Sequence, residues 1–195
     1  MSDSDEKLLA QMLKGDEEAF TTLYRRRQGS IYRFALHMTR SFAVAEDVTQ
    51  EVFLMLLESG RRFDSSRGTL LSFLYGIARN HILRRIEKDS REQPAQPAEI
   101  EDCIGGDDTI DPISDLTRRE AIETVRRAIV SLPPMYREVV VLCDLEDASY
   151  EDAAAALDCP MGTVRSRLSR ARAMLAAKLE KKAGLIKKTV GIAYE

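Results

Sequence analysis

Apolar residues recur at intervals of three, four and seven along nearly the whole chain, and no stretch of useful length alternates as a strand would. That period confines the fold to packed helices. Phe20, Leu23, Tyr24, Ile31, Phe34, Ala35 and Met38 form one stripe. Val44, Val48, Val52, Met55 and Leu56 form a second, with Ser41 placed to cap its N-terminus. Gly60 and the stretch from Phe63 to Gly68 interrupt the pattern as a loop does. A third helix is expected from about Thr69 to Ile86, with Leu70, Phe73, Leu74, Ile77 and Leu83 inward.

The period lapses across residues 89–115, which hold Pro94, Pro97, Pro112, Gly105 and Gly106 and few large apolar side chains. Such a composition cannot bury a core and marks a linker. Periodicity resumes near Leu116, runs through Ile122, Val125 and Ile129, and halts at Leu132-Pro133-Pro134. Tyr136, Val139, Val140 and Cys143 carry a further helix. The expected fold is all-α. It has a helical domain over residues 1–88, a flexible acidic linker over 89–115, a smaller helical domain over 116–180 and a tail over 181–195. A chain of 195 residues has room for two such small domains.

A net charge of −3 argues at first against a nucleic-acid partner, but the charge is segregated. Residues 61–88 carry seven basic and two acidic side chains, residues 89–115 nine acidic and one basic, and residues 160–182 seven basic and one acidic. Two basic blocks flank an acidic spacer, and local fields of this kind govern encounters with DNA more than the sum does. The acidic start lacks the parts of a secretory signal, and no apolar run is long enough to span a membrane. Cys103, Cys143 and Cys159 are odd in number and unpaired in spacing, which suits reduced thiols in the cytoplasm. His37 and His81 lie far apart with no cysteine near either, so no metal or other cofactor is expected. No nucleophile–base pairing or Gly-rich phosphate loop points to an enzyme.

The strongest local signal lies between Ser149 and Arg172. Ser149 followed by Asp152 resembles a capping box, and Ala153, Ala154 and Leu157 give a short helix with a small-residue face. Asp158-Cys159-Pro160 is a tight turn, with Pro160 suited to opening the next helix. That helix buries Val164, Leu168 and Leu175 and shows Arg165, Ser166, Ser169, Arg170 and Arg172 on its other faces. Two short helices, a brief turn and a basic second helix describe a helix-turn-helix that enters a major groove.

At these residues a family resemblance emerges. Leu132-Pro133-Pro134-Met135-Tyr136-Arg137-Glu138-Val139, then Ser149-Tyr150-Glu151-Asp152-Ala153-Ala154 and Gly162-Thr163-Val164-Arg165-Ser166-Arg167-Leu168, resemble region 4 of bacterial sigma factors. The likeness is to the compact extracytoplasmic-function group. Ala45-Glu46-Asp47-Val48-Thr49-Gln50-Glu51-Val52-Phe53 is similar to region 2.2, and Phe73-Leu74-Tyr75-Gly76-Ile77-Ala78-Arg79-Asn80 to regions 2.3 to 2.4. The resemblance covers roughly residues 16–180 in the family's order. Phe73 stands where the group often has Trp, Ala153 replaces a larger aliphatic residue, and Asp158 replaces a Gly at a turn whose left-handed backbone Asp tolerates.

The resemblance implies a promoter-specificity factor for core RNA polymerase, without catalysis of its own. Asp47, Gln50, Glu51 and Phe53 are then expected on the clamp helices of the largest subunit, with Glu46 beside them, and the polymerase flap is a further partner. Phe63, Asp64, Ser65, Arg79, Asn80 and Arg84 are expected at the −10 element, where extruded bases need a pocket, an amide and cations. Arg165, Ser166, Ser169 and Arg170 are expected at the −35 element. An anti-sigma factor is expected as inhibitor. A coil of 27 residues spans only about 30 Å against the roughly 55–60 Å between the two elements, so polymerase would have to hold the linker stretched. Two other classes compete: a repressor or activator that binds duplex DNA alone, and a sigma-like adaptor that binds an anti-sigma protein without DNA. Specific run-off transcripts from core polymerase and a promoter library separate them.

Overall fold

The computed structural model describes the backbone of residues 3–92 and 112–192, and the side chains of residues 3–88 and 120–180. Every regular element among these residues is helical: α1 (Asp5–Met12), α2 (Glu17–Thr39), α3 (Phe42–Ser59), α4 (Leu70–Glu92), α5 (Pro112–Val130), α6 (Pro134–Val140), α7 (Tyr150–Leu157) and α8 (Met161–Ile192). A 3-10 turn over Gly60–Arg62 follows α3, and a π-helical turn over Val141–Leu145 follows α6. Side-chain caps set the starts. Asp16 accepts from the amides of Glu18 and Ala19, Ser41 from that of Val44, and Ser149 from that of Asp152. Each satisfies an amide that the helix cannot pair within itself. Left-handed residues end α2 and α7, at Arg40 and at Asp158, which has φ 48° and ψ 51°. Asp at the turn therefore keeps the geometry that Gly supplies elsewhere.

In the first half, α2, α3 and α4 pack around Leu23, Ile31, Phe34, Val52, Leu56, Leu74 and Ile82, all inaccessible to solvent. Helix α1, which the periodicity did not disclose, lies on α2. Its buried Asp5 accepts from Arg26 Nη1 at 2.8 Å and Arg27 Nε at 2.5 Å. Leu9 of α1 and Leu13, which caps its C-terminus, meet Gly60, where a Cβ would come within 3.1 Å of Leu9. The second half packs α5 to α8 around Ile129, Leu132, Val139, Leu142, Val164, Leu168 and Ala171.

Several expectations need adjusting. Helix α4 continues to Glu92 rather than ending near residue 86, and α5 begins at Pro112. The linker expected over residues 89–115 lies largely outside the described residues, which omit 93–111. The tail expected from residue 181 has a helical backbone as far as Ile192, as an extension of α8. Ile122 and Val125, periodic on α5, are each 41% exposed, whereas Ile129 of the same helix is buried.

The two halves also pack on each other, an arrangement that period and composition did not specify. Helix α4 lies along α7, and α2 touches α5, α6 and the π-helical turn. The approach of α4 to α7 depends on small residues. A Cβ on Gly76 would stand 3.3 Å from the Ala156 carbonyl oxygen, and one on Gly68, at φ +150°, would stand 2.8 Å from the Ala155 Cβ. The small-residue face of α7 thus receives α4 as well as its own domain. Arg137 of α6 donates to the Met38 carbonyl at the C-terminal end of α2, to the Val130 carbonyl at the end of α5 and to the Leu132 carbonyl just beyond it. A cation set among helix C-termini answers carbonyls that have no partner within their own helices.

Candidate nucleic-acid interface

Three groups of side chains carry the functional expectations, and the fold treats them differently. The first lies on the N-terminal half of α8. Val164, Leu168 and Ala171 are buried against the second-half core, which fixes the rotation of the helix. Arg165, Ser166, Ser169 and Arg170 then all fall on exposed faces. Arg165 also lies over the Tyr150 ring, 5.7 Å from its centroid, which tethers the start of α8 to the start of α7. Further along, Arg172 makes a two-point ion pair with Asp144 at 2.6 and 3.2 Å, so it braces α8 against the π-helical turn.

The second group surrounds a cleft of about 390 Å³ between the loop after α3, the first turns of α4 and helix α7. Phe63, Asp64, Arg79 and Asn80 line it together with Arg62, Arg67 and Phe73. The Phe63 and Phe73 rings stack at a tilt, 5.7 Å between centroids, so Phe73 still offers an aromatic wall in place of an indole. Asp64 accepts from the backbone amide and hydroxyl of Ser66 at 2.9 and 2.7 Å. These bonds, with Arg67 nearby, hold its carboxyl below the usual range and shape the loop. Asn80 is exposed at the margin of the cleft. Ser65 and Arg84 are exposed but do not line the cleft.

Arg79 departs from expectation. Its guanidinium is not free for a phosphate but donates to both oxygens of Glu138, at 2.7 and 3.3 Å. Glu138 is 1% exposed, and Arg167 of α8 also donates to its Oε1, at 3.5 Å. A cation from each half converges on one buried acid. Such a carboxylate is tolerated in the interior only because it is paired. Glu138 belonged to the family-like run of residues, but only the tertiary structure brings it to Arg79.

The third group is on α3. Asp47, Gln50 and Glu51 are exposed, as expected of a docking face. Phe53 is not among them: at 2% exposure it packs edge-on against Tyr24, 4.7 Å between centroids, and against Phe20. Its place on the helix turns it inward with Val52 and Leu56, so its expected contact with polymerase is corrected to a core role. Asp47 is met by Arg85 of α4 at 3.1 Å. Gln50 and Glu46 border a second cleft, of about 430 Å³, with Tyr24, Gln28 and Tyr32 of α2. Leu54 and Leu57, 54% and 48% exposed, extend the line of Asp47 and Gln50 at intervals of three and four residues. Helical periodicity alone gave no reason to single them out.

The thiols carry no reactive signature. Burial, ahead of the nearby Asp144 charge, pushes Cys143 up to about 11, and burial also raises Cys159. Cys103 lies outside the described residues. Among the described residues no helix is long and apolar enough to cross a membrane.

Comparison with known proteins agrees with this geometry. A family model described as Sigma-70 region 2 matches residues 23–92, and one described as Sigma-70, region 4 matches residues 122–175. The RNA polymerase sigma-H factor of Pseudomonas aeruginosa is 33% identical over 178 residues, 87% of this chain and 91% of that protein. The ECF RNA polymerase sigma-E factor of Escherichia coli (strain K12) is 33% identical over 185 residues, 91% of this chain and 95% of the relative. Among solved structures, CnrH in complex with the cytosolic domain of CnrY is similar at a TM-score of 0.67 and 25% identity, over 92% of this chain and 99% of that one. The sigma factor RpoE bound to the anti-sigma factor NepR from Bartonella quintana is similar at 0.65 and 25%, over 83% and 96%.

Proposed function

The chain belongs to the extracytoplasmic-function (ECF) group of RNA polymerase sigma factors, which direct the polymerase to promoters, and on that premise we propose a division of labour among its side chains. Arg165, Ser166, Ser169 and Arg170 contact the −35 duplex. The observation that carries this is the burial of Val164, Leu168 and Ala171, which leaves those four side chains on the solvent faces of α8. Arginine offers two donors to a guanine edge, and the serines are short enough for the backbone to come close to the groove. The positive end of the helix adds to the attraction for phosphate.

The cleft beside Phe63 and Asn80 takes an extruded base of the −10 single strand. Phe63 and Phe73 supply stacking surface, Asn80 an amide, and Arg62 and Arg67 the charge, while Arg79, paired with Glu138, braces the cleft wall. Asp64 and Ser65 shape the loop, and Arg84 adds positive charge further along α4. Asp47, Gln50 and Glu51 dock on the clamp helices of polymerase, with Leu54 and Leu57 as an apolar continuation of that surface. The flap is a partner of the second half. An anti-sigma factor inhibits the protein, a reading supported by the two similar structures, in which a sigma factor is bound by NepR and CnrH by CnrY. The protein works in the cytoplasm, where polymerase and promoters are.

Run-off transcription with core polymerase and a promoter library tests the assignment. The wild-type chain yields transcripts with defined −10 and −35 elements. Replacing both Asp47 and Gln50 by Ala weakens core binding with helical content unchanged. Unaltered affinity for core polymerase removes α3 as the docking surface.

A further inference from the structure

The loop that lines the −10 cleft begins on a glycine seated against α1, a helix with no part in the DNA and polymerase contacts assigned above. Gly60 opens the 3-10 turn after α3 with φ −58°, a value any residue adopts, so space rather than backbone conformation favours glycine there. A Cβ at Gly60 would meet Leu9 Cδ1 at 3.1 Å, Leu13 Cδ2 at 3.5 Å and Leu56 Cδ1 at 3.6 Å. The 3-10 turn passes this contact on. The Phe63 amide donates to the Gly60 carbonyl at 3.1 Å, which ties Phe63 to the glycine three residues before it. The Phe63 ring then stands 5.7 Å from that of Phe73, and both line the cleft. The rest of the loop is closed locally. The Arg67 amide donates to the Asp64 carbonyl at 3.0 Å, and Asp64 takes the Ser66 amide and hydroxyl. Glu6 of α1 borders an open hollow with Ser65 and Ser66, so the helix follows the loop along its length.

Eight residues would not hold a helix in isolation, and α1 is pinned by more than its apolar side. Leu8, Leu9 and Met12 are buried against the first half. Asp5, 7% exposed, accepts from Arg26 Nη1 and Arg27 Nε of α2, and Arg26 Nη1 also donates to the Asp3 carbonyl at 2.8 Å. A slide or rotation of α1 would leave a buried carboxylate unpaired, which fixes its register on α2. We propose that α1 is a positioning element for promoter reading: through Leu9 it seats Gly60, and through the 3-10 turn it sets how Phe63 stands toward the extruded −10 base. The helix touches no DNA in this role. Leu9 acts through Gly60 and Phe63, and the proposal rests on the assignment of the cleft to the −10 strand. A ring discriminates among bases only when its height and tilt are held, so a loosened seat costs −10 preference and leaves the −35 duplex contact alone.

The test uses the full-length chain assembled with core polymerase and compares two neighbours on α1. Leu8 and Leu9 are 5% and 4% exposed. Leu9 makes the nearest approach to a Cβ at Gly60, whereas Leu8, about 100° round the helix, is not among the three nearest atoms. Leu8→Ala and Leu9→Ala remove the same groups from equally buried positions, so the thermal midpoint is expected to fall by similar amounts in both. Open-complex formation on a library of −10 sequences is expected to separate them. Leu9→Ala lowers discrimination at one −10 position about fivefold and Leu8→Ala less than about twofold, with −35 preference and core affinity kept in both. Leu9→Met, which refills the seat, restores discrimination to within about twofold of wild type. Equal −10 discrimination in the two alanine variants, whether lost or kept, overturns the positioning role. Where Leu9→Ala leaves too little folded chain, Gly60→Ala disturbs the same contact from the other side, because its Cβ forces Leu9 to give way. Unchanged −10 discrimination in Gly60→Ala also overturns the role. Failure of the cleft assignment has a separate signature: Phe63→Ala and Asn80→Ala then leave −10 preference unchanged, whereas failure of the positioning role leaves both of those effects in place.

Discussion

The two surfaces assigned to promoter DNA differ in how they are built. The face of α8 is complete within one helix. Its rotation is set by Val164, Leu168 and Ala171 beneath it, and its side chains point to solvent whatever the first half does. The cleft beside Asn80 is assembled from a loop, from α4 and from α7 of the other half, and its best-placed cation, Arg79, is bound to Glu138. A surface carried by one element tolerates rearrangement of the molecule, whereas a surface shared between elements exists in one arrangement and changes in another. Duplex and single-strand binding should therefore respond differently to the same perturbation.

The largest expected effect is at the residue that ties the two surfaces together. Glu138→Ala leaves the guanidinium groups of Arg79 and Arg167, each 23% exposed, without their shared acid. Breaking a buried pair from one side costs about 3–5 kcal/mol. Urea unfolding of the full chain measures it, and a loss under about 1 kcal/mol means that Glu138 behaves as a surface acid. Next comes α8 itself. Arg165→Ala with Arg170→Ala should lower −35 discrimination by about 1–3 kcal/mol for each two-donor contact removed. Single-strand binding should be unaffected, and equal losses at both elements would erase the contrast drawn above.

A smaller effect is expected at Asn80, whose exposed side chain makes no hydrogen bond to the other described residues. Asn80→Ala should relax preference at one −10 position several-fold in open-complex assays, with duplex affinity kept. Loss spread evenly over all −10 sequences would indicate a change in folding or charge instead. His37 tests the interface between the halves. It lines the groove between α2 and α5 with Arg40, Arg126 and Ile129. Burial first, and then Arg126 and Arg33, lower its affinity for a proton below the ordinary 6.5. The unfolded chain thus binds more protons near that pH, and stability rises with pH there. Cooling of the thermal midpoint should begin as pH falls through about 6.5, and His37→Gln should flatten that segment of the profile. Smallest of all is Lys178→Ala on exposed α8, which should weaken binding less than about twofold and equally for every sequence.

Much of this was legible before any coordinate. The stripes of Phe20 to Met38 and Val44 to Leu56 became α2 and α3, Ser41 and Ser149 became caps, and Asp158 took the left-handed turn. Short-range physics governs these features, since a period of 3.6 or a capping oxygen acts within a few residues. Helix α1 escaped because eight residues hold too few apolar positions to declare a period. Phe53 was misplaced because a motif marks a helix without stating which of its side chains turn inward.

By itself, the sequence determined that the chain is helical, where its main helices lie, and that α8 would carry Arg165 and Arg170 opposite an apolar seam. The tertiary structure alone decided that Glu138 would meet Arg79 across 59 residues, that Glu146 would meet Arg33 across 113, and that α7 would close the cleft. The physical reason is range. Periodicity and capping are fixed by neighbours along the chain, whereas an ion pair between distant residues depends on which faces the packed helices turn toward each other. Small residues such as Gly68 and Gly76 permit that approach, but in sequence they read only as a loop glycine and a gap in a stripe.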